Sequence, residues 1–84
     1  MEQEVKFYYR NGCHLCEEMV AIVNRSWPHL MDNMVWCDVD EKESWKEIYG
    51  LKVPVLVCDD EEVCHFQLDE AQARKYFGDP VIPV

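Results

Sequence analysis

Val5-Lys6-Phe7-Tyr8-Tyr9-Arg10-Asn11-Gly12-Cys13-His14-Leu15-Cys16 is the stretch whose pattern decides the architecture. Val5, Phe7 and Tyr9 alternate with Lys6 and Tyr8, and a period of two in a β-branched and aromatic run predicts a strand at residues 4–9. Asn11-Gly12 breaks that pattern. Behind it Leu15, Met19, Ile22 and Val23 recur at helical spacing, so a helix opens at Cys13 and ends before Trp27-Pro28. Cys13 and Cys16 thus stand where a strand gives way to a helix.

Outward from this unit, Met34-Val35-Trp36-Cys37-Asp38-Val39 reads as a second strand, stopped by the acidic cluster that begins at Asp40. Asp40 and Glu43 have the spacing of a capping box. Trp45, Ile48 and Tyr49 supply the apolar face of the second helix, and Gly50 suits its C-terminal end. Val53-Pro54-Val55-Leu56-Val57-Cys58 is a third strand, with Pro54 tolerated only at its start or on an edge. A turn at Asp59-Asp60-Glu61-Glu62 closes a hairpin onto Val63-Cys64-His65-Phe66. A loop of that length pairs Cys58 with Val63 and Val57 with Cys64, which sends the sulfurs of Cys58 and Cys64 to opposite faces. A bulge would change that register, and Cys64 is expected to be exposed.

The third helix is capped by Asp69 with Gln72 at N3. It carries Ala73, Tyr76 and Phe77 behind Leu68, and stops at Gly78-Asp79-Pro80. The order is β-α-β-α-β-β-α. A right-handed crossover makes the first two strands parallel, and the last two pair as a hairpin. The expected fold class is α/β, a four-stranded mixed sheet with three helices, in one domain over residues 1–84.

Composition narrows the function. With 49% hydrophobic and 12% aromatic residues, the chain can bury a core. Its net charge of −9 argues against nucleic acid, which needs clustered Lys and Arg, and against anionic membrane surfaces. No apolar run reaches the length of a membrane span, and Met1-Glu2-Gln3-Glu4 lacks the basic start and apolar stretch of a signal peptide. A cytoplasmic monomer is expected. The five Cys are an odd number without an export signal, which favours reduced thiols with a redox or metal role over a disulfide scaffold.

The chemistry centres on Cys13. At the start of a helix its sulfur meets unpaired backbone N–H groups and the positive end of the helix dipole, where a thiolate is stabilised. The thiolate is the form that attacks disulfides. Cys16, one turn deeper on the same face, can then attack the mixed disulfide formed at Cys13. Cys13 is the expected nucleophile and Cys16 the resolving thiol. The rival reading is a binding module in which the Cys pair is structural or holds a metal. A tetrahedral zinc site wants two further ligands, and there is no second CxxC.

The run Tyr8 to Cys16, the order of elements and the Val53-Pro54 step together resemble the glutaredoxin branch of the thioredoxin superfamily. Within it, Gly-Cys-His-Leu-Cys-Glu-Glu is similar to a glutaredoxin-like group of small bacterial proteins. The resemblance implies a thioredoxin fold, thiol-disulfide oxidoreductase activity and a cis-proline at Pro54. It also implies a substrate-binding role for Arg10, Val53 and Pro54, Arg10 matching a basic position that meets a carboxylate of glutathione. The Gly-Gly pair that glutathione-using members carry before the last helix is replaced here by Phe66-Gln67-Leu68, which narrows the space for the γ-glutamyl end.

No resident cofactor or metal is therefore expected, and glutathione is expected to bind weakly. The partners are a disulfide-containing protein or small thiol, and an electron donor the sequence does not name. His14 and Lys52 are secondary candidates, His14 beside the thiolate and Lys52 before the Val-Pro step. Cys37 reads as a buried core residue.

Overall fold

Alternation in the first strand is what divides the molecule into two cores. The computed structural model describes residues 3–84, so the reading attached to Met1-Glu2 lies outside the described residues. β1 (Val5–Tyr9) runs parallel to β2 (Val35–Asp38), with Phe7 opposite Trp36 and Tyr8 opposite Cys37. It runs antiparallel to β3 (Val55–Cys58), which pairs in turn with β4 (Glu61–His65). The strand order is β2-β1-β3-β4. With α1 (His14–Ser26), α2 (Glu43–Tyr49) and α3 (Glu70–Phe77), the expected mixed sheet and three helices are present.

Val5, Phe7, Leu56 and Cys58 point to one face, where Met19 and Val23 of α1, Trp27 and Ala73 of α3 cover them. Tyr8, Cys37, Val55 and Val57 point to the other, against Trp45 and Tyr49 of α2. Burying side chains of this size stabilises the fold by about 1.5–3 kcal/mol each. Trp27 is enclosed with its indole N–H satisfied by the carbonyl of Gly78 at 2.9 Å. Tyr8 stacks on Tyr49 with ring centroids 3.8 Å apart and meets Trp45 edge-on at 5.8 Å. The Asp69 cap forms as expected, its carboxylate accepting the N–H of Gln72 at 3.1 Å. Ile48, expected on the apolar face of α2, is exposed.

The hairpin departs from the expected register. Its loop has two residues, not four, because Asp59 and Asp60 both adopt positive φ (49° and 67°), which Asp tolerates better than most side chains. Both backbone and side chain of Asp59 are tied to Glu4 at 2.9 Å. Cys58 then pairs with Glu61, and a bulge between Leu56 and Val57 leaves Val63 extra and sets Cys64 opposite Leu56. Cys58 and Cys64 therefore belong to the same core, and Cys64 is buried at 7% exposure. They remain free thiols.

The capping box at Asp40 does not form. Residues Val39–Glu41 make a 3-10 turn capped by Asp38, whose carboxylate accepts the N–H of Asp40 at 3.0 Å. Lys42 stands at the N-cap of α2 without a side-chain bond, because the Asp40 carboxylate is engaged by Arg10. The third ladder starts at Val55, two residues later than expected, since Pro54 has no N–H to give. The Val53–Pro54 peptide bond is cis.

Candidate active site

Between β1 and α1 the chain must turn sharply, and Gly12 makes this possible with φ 76°, a conformation that side chains rarely adopt. The N–H of Cys13 closes the turn on the carbonyl of Arg10 at 3.3 Å. Cys13 becomes the N-cap of α1, and its sulfur accepts the N–H of Cys16 at 3.1 Å. The two cysteines form a disulfide with Cα atoms 5.2 Å apart, an ordinary separation for such a bond. They are not equivalent. Cys13 is half-buried, whereas Cys16 is 4% exposed. The outer sulfur thus sits at the end of the helix dipole and the inner one behind it.

The other three thiols are chemically quiet. Burial pushes Cys37 and Cys64 above the ordinary thiol range, and it raises Cys58 to about 11, helped by the adjacent Asp59 carboxylate. Cys37 is buried in the α2-side core, as expected from the sequence.

Beside the disulfide opens a cleft of about 370 Å³, walled by Phe7, Tyr9, Trp36 and both cysteines, with Arg10 and Glu17 also lining it. Trp36 stands edge-on to Phe7 at 5.7 Å and to Tyr9 at 6.2 Å, and is 47% exposed. Sequence reasoning passed over this residue. The alternation around buried Cys37 was the available signal, since it puts Trp36 on the α1 side of the sheet.

Arg10 is committed to the protein itself. Its guanidinium donates twice to Asp40, at 3.0 and 3.2 Å, and once to the carbonyl of Gly50 at 3.1 Å. Those bonds hold the Asp40 carboxyl below its ordinary value. Lys52 binds Glu62 at 2.6 Å, and Glu62 also meets His65 at 2.7 Å; Lys52 first and His65 after it keep the Glu62 carboxyl low. His14 is 83% exposed and reaches Glu18 at 3.3 Å. Val53 packs against both cores, and the carbonyl of Pro54 accepts the N–H of Phe66 at 2.9 Å. The structure therefore gathers Arg10, Cys13 and Cys16 around one cleft and places Lys52 in a separate cluster with Glu62 and His65. Among the described residues no group of three or more His, Cys, Asp or Glu is placed to hold a metal ion. No helix there is long and apolar enough to cross a membrane.

This arrangement has counterparts. The solution NMR structure of protein Ne2328 from Nitrosomonas europaea is 32% identical, with a TM-score of 0.72, over 92% of this chain and 93% of that one. The X-ray structure of Fasciola hepatica thioredoxin shares the fold at 20% identity, with a TM-score of 0.53, over 88% of this chain and 76% of that one. No curated protein sequence matches. Residues 4–78 match the family described as Glutaredoxin-like domain (DUF836). That match spans most of the chain, and the chain therefore belongs to the glutaredoxin-like family, with a thioredoxin-type fold.

Proposed function

We propose that the chain is a dithiol–disulfide oxidoreductase in which Cys13 attacks and Cys16 resolves. The observation that carries this reading is the asymmetry of the pair: Cys13 half-buried at the N-cap of α1 with an N–H aimed at its sulfur, Cys16 buried behind it. In the reduced chain the Cys13 thiolate attacks one sulfur of a substrate disulfide. The substrate S–S bond breaks, a mixed disulfide forms, and the first substrate thiolate leaves and takes up a proton. The Cys16 thiolate, its proton released to solvent, then attacks the Cys13 sulfur and expels the second substrate thiolate. Two electrons have moved to the substrate, and the chain holds the Cys13–Cys16 disulfide until an external dithiol donor reduces it.

Val53 and Pro54 are assigned the contact with the substrate backbone, the role the resemblance implies for them. The substrate is a disulfide in a protein or small-thiol partner, no resident cofactor is needed, and the chain acts as a monomer. A reducing, cytoplasmic setting suits a cycle that a thiol donor must restart. Glutathione is a poor donor in this reading, because Arg10 is already engaged by Asp40 and a net charge of −9 repels an anionic tripeptide.

The test is disulfide reduction by the wild type, Cys13→Ser and Cys16→Ser, driven by a dithiol reductant. Cys13→Ser is expected to lose all activity. Cys16→Ser is expected to accumulate a mixed disulfide on Cys13, visible by intact mass. Full activity in Cys13→Ser would overturn the reading.

A further inference from the structure

Phe66 sits in a backbone conformation that bulky side chains avoid, with φ 65°. Its N–H is fastened to the carbonyl of Pro54, while the N–H of Gln67 reaches back to the carbonyl of His65 at 2.7 Å. This is a three-residue γ-turn of the rarer hand, a conformation that strains a non-glycine residue. Burial does not explain the choice of residue, because the Phe66 side chain is 45% exposed.

What the turn does is aim that ring at a groove of about 230 Å³, which Phe66 lines together with Leu15, Glu18, Met19, Ile22 and Leu68. Leu15 lies between the two active cysteines and is itself partly exposed. The groove therefore starts at the reactive turn and ends at the segment tied to Pro54.

We propose that this groove seats an apolar side chain from a positively charged segment of a protein substrate, close to the cysteine under attack, with Phe66 setting the preference. The inference rests on the oxidoreductase reading above and names its substrate class. Size suits a single side chain: sites for drug-sized molecules span roughly 300–1,000 Å³, and this groove is smaller. Charge selects the segment. Among the described residues the one charged side chain lining the groove is Glu18, Lys52 near Pro54 is held by Glu62, and the chain carries −9 overall. A cationic segment is drawn to this surface and an anionic one repelled.

The experiment uses the reduced full chain and two peptides. Each carries one cysteine as a mixed disulfide with 2-mercaptoethanol, flanked by Phe and two Lys in one peptide and by Gly and two Glu in the other. Bis(2-hydroxyethyl) disulfide serves as a neutral third substrate. The wild type is expected to reduce the first peptide about tenfold faster than the second, the discrimination one apolar pocket typically gives. Phe66→Gly and Phe66→Asn both accept φ 65°, and each is expected to bring that ratio below about threefold. Glu18→Lys is expected to lower it as well. A wild-type ratio near one, or a ratio unchanged in both Phe66 variants, overturns the proposal while reduction of the neutral disulfide preserves the oxidoreductase reading. Failure to reduce any of the three substrates overturns both.

Discussion

The backbone N–H of Cys16 points at the sulfur of Cys13 across 3.1 Å, a main-chain contact that favours negative charge on that sulfur in the reduced chain. Cys13 is accordingly expected to alkylate first, and near neutral pH. At pH 7 a thiol with a pKa of about 11, such as Cys58, is ionised only about once in ten thousand molecules. Mass mapping after brief alkylation of the reduced chain checks the order. Labelling of Cys58 or Cys64 ahead of Cys13 would refute it.

Asp40→Asn is expected to release Arg10 and to strengthen the binding of anionic thiols, glutathione included, over the wild type. Calorimetric titration of both proteins makes the comparison. The same variant changes acid stability in a defined direction. Because Arg10 depresses the folded pKa of Asp40 below its ordinary 3.8, the pair contributes fully above that value, and the contribution is lost as the pH falls through the lower folded pKa. The wild type should thus lose more stability than Asp40→Asn on acidification below pH 3.8, as measured by urea midpoints.

Cys37→Ser places a hydroxyl in the α2-side core, where the thiol's own bond to the carbonyl of Val35 is long, at 3.9 Å. A loss of about 1–3 kcal/mol in urea unfolding is expected, with disulfide reduction intact. Loss of activity in a folded Cys37→Ser protein would contradict the two-thiol mechanism.

Ser26, at the end of α1, is fully enclosed, and its hydroxyl has no hydrogen-bond partner among the described residues. Its carbonyl, which accepts the N–H of Val81 at 2.8 Å, belongs to the backbone and survives substitution. Ser26→Ala is therefore expected to stabilise the chain by about 1 kcal/mol, through the removed desolvation cost and the better helix former. A lower thermal midpoint in Ser26→Ala would show that the hydroxyl is satisfied.

Elements governed by local periodicity were legible in the sequence. β1, α1, the Asp69 cap and the placement of Cys13 at a helix start all follow from residues within a few positions of one another. The misreadings came from partners far along the chain. Asp40 has the spacing of a cap, yet Arg10, thirty positions away, takes its carboxylate. The hairpin register depends on two consecutive Asp residues adopting positive φ and on a bulge, and the bulge reverses which face the following residues meet. Phe66 reads as the end of the fourth strand and as a replaced glycine, whereas β4 stops at His65. That it keeps a glycine-like backbone while exposing its ring is a property of its tie to Pro54.

The sheet itself partitions the sulfurs. Cys37 lies on its α2 side, Cys58 and Cys64 lie under α1 and α3, and all three are enclosed and unpaired. In electrochemical terms the proposed activity makes the folded chain a single two-electron couple despite its five cysteine sulfurs. Its potential depends on how the fold treats both thiols of the pair, Cys13 at the helix end and Cys16 buried behind it, and a tenfold change in the exchange equilibrium corresponds to about 30 mV. The remaining three thiols are a silent reserve that electrodes and redox buffers meet only when the chain unfolds.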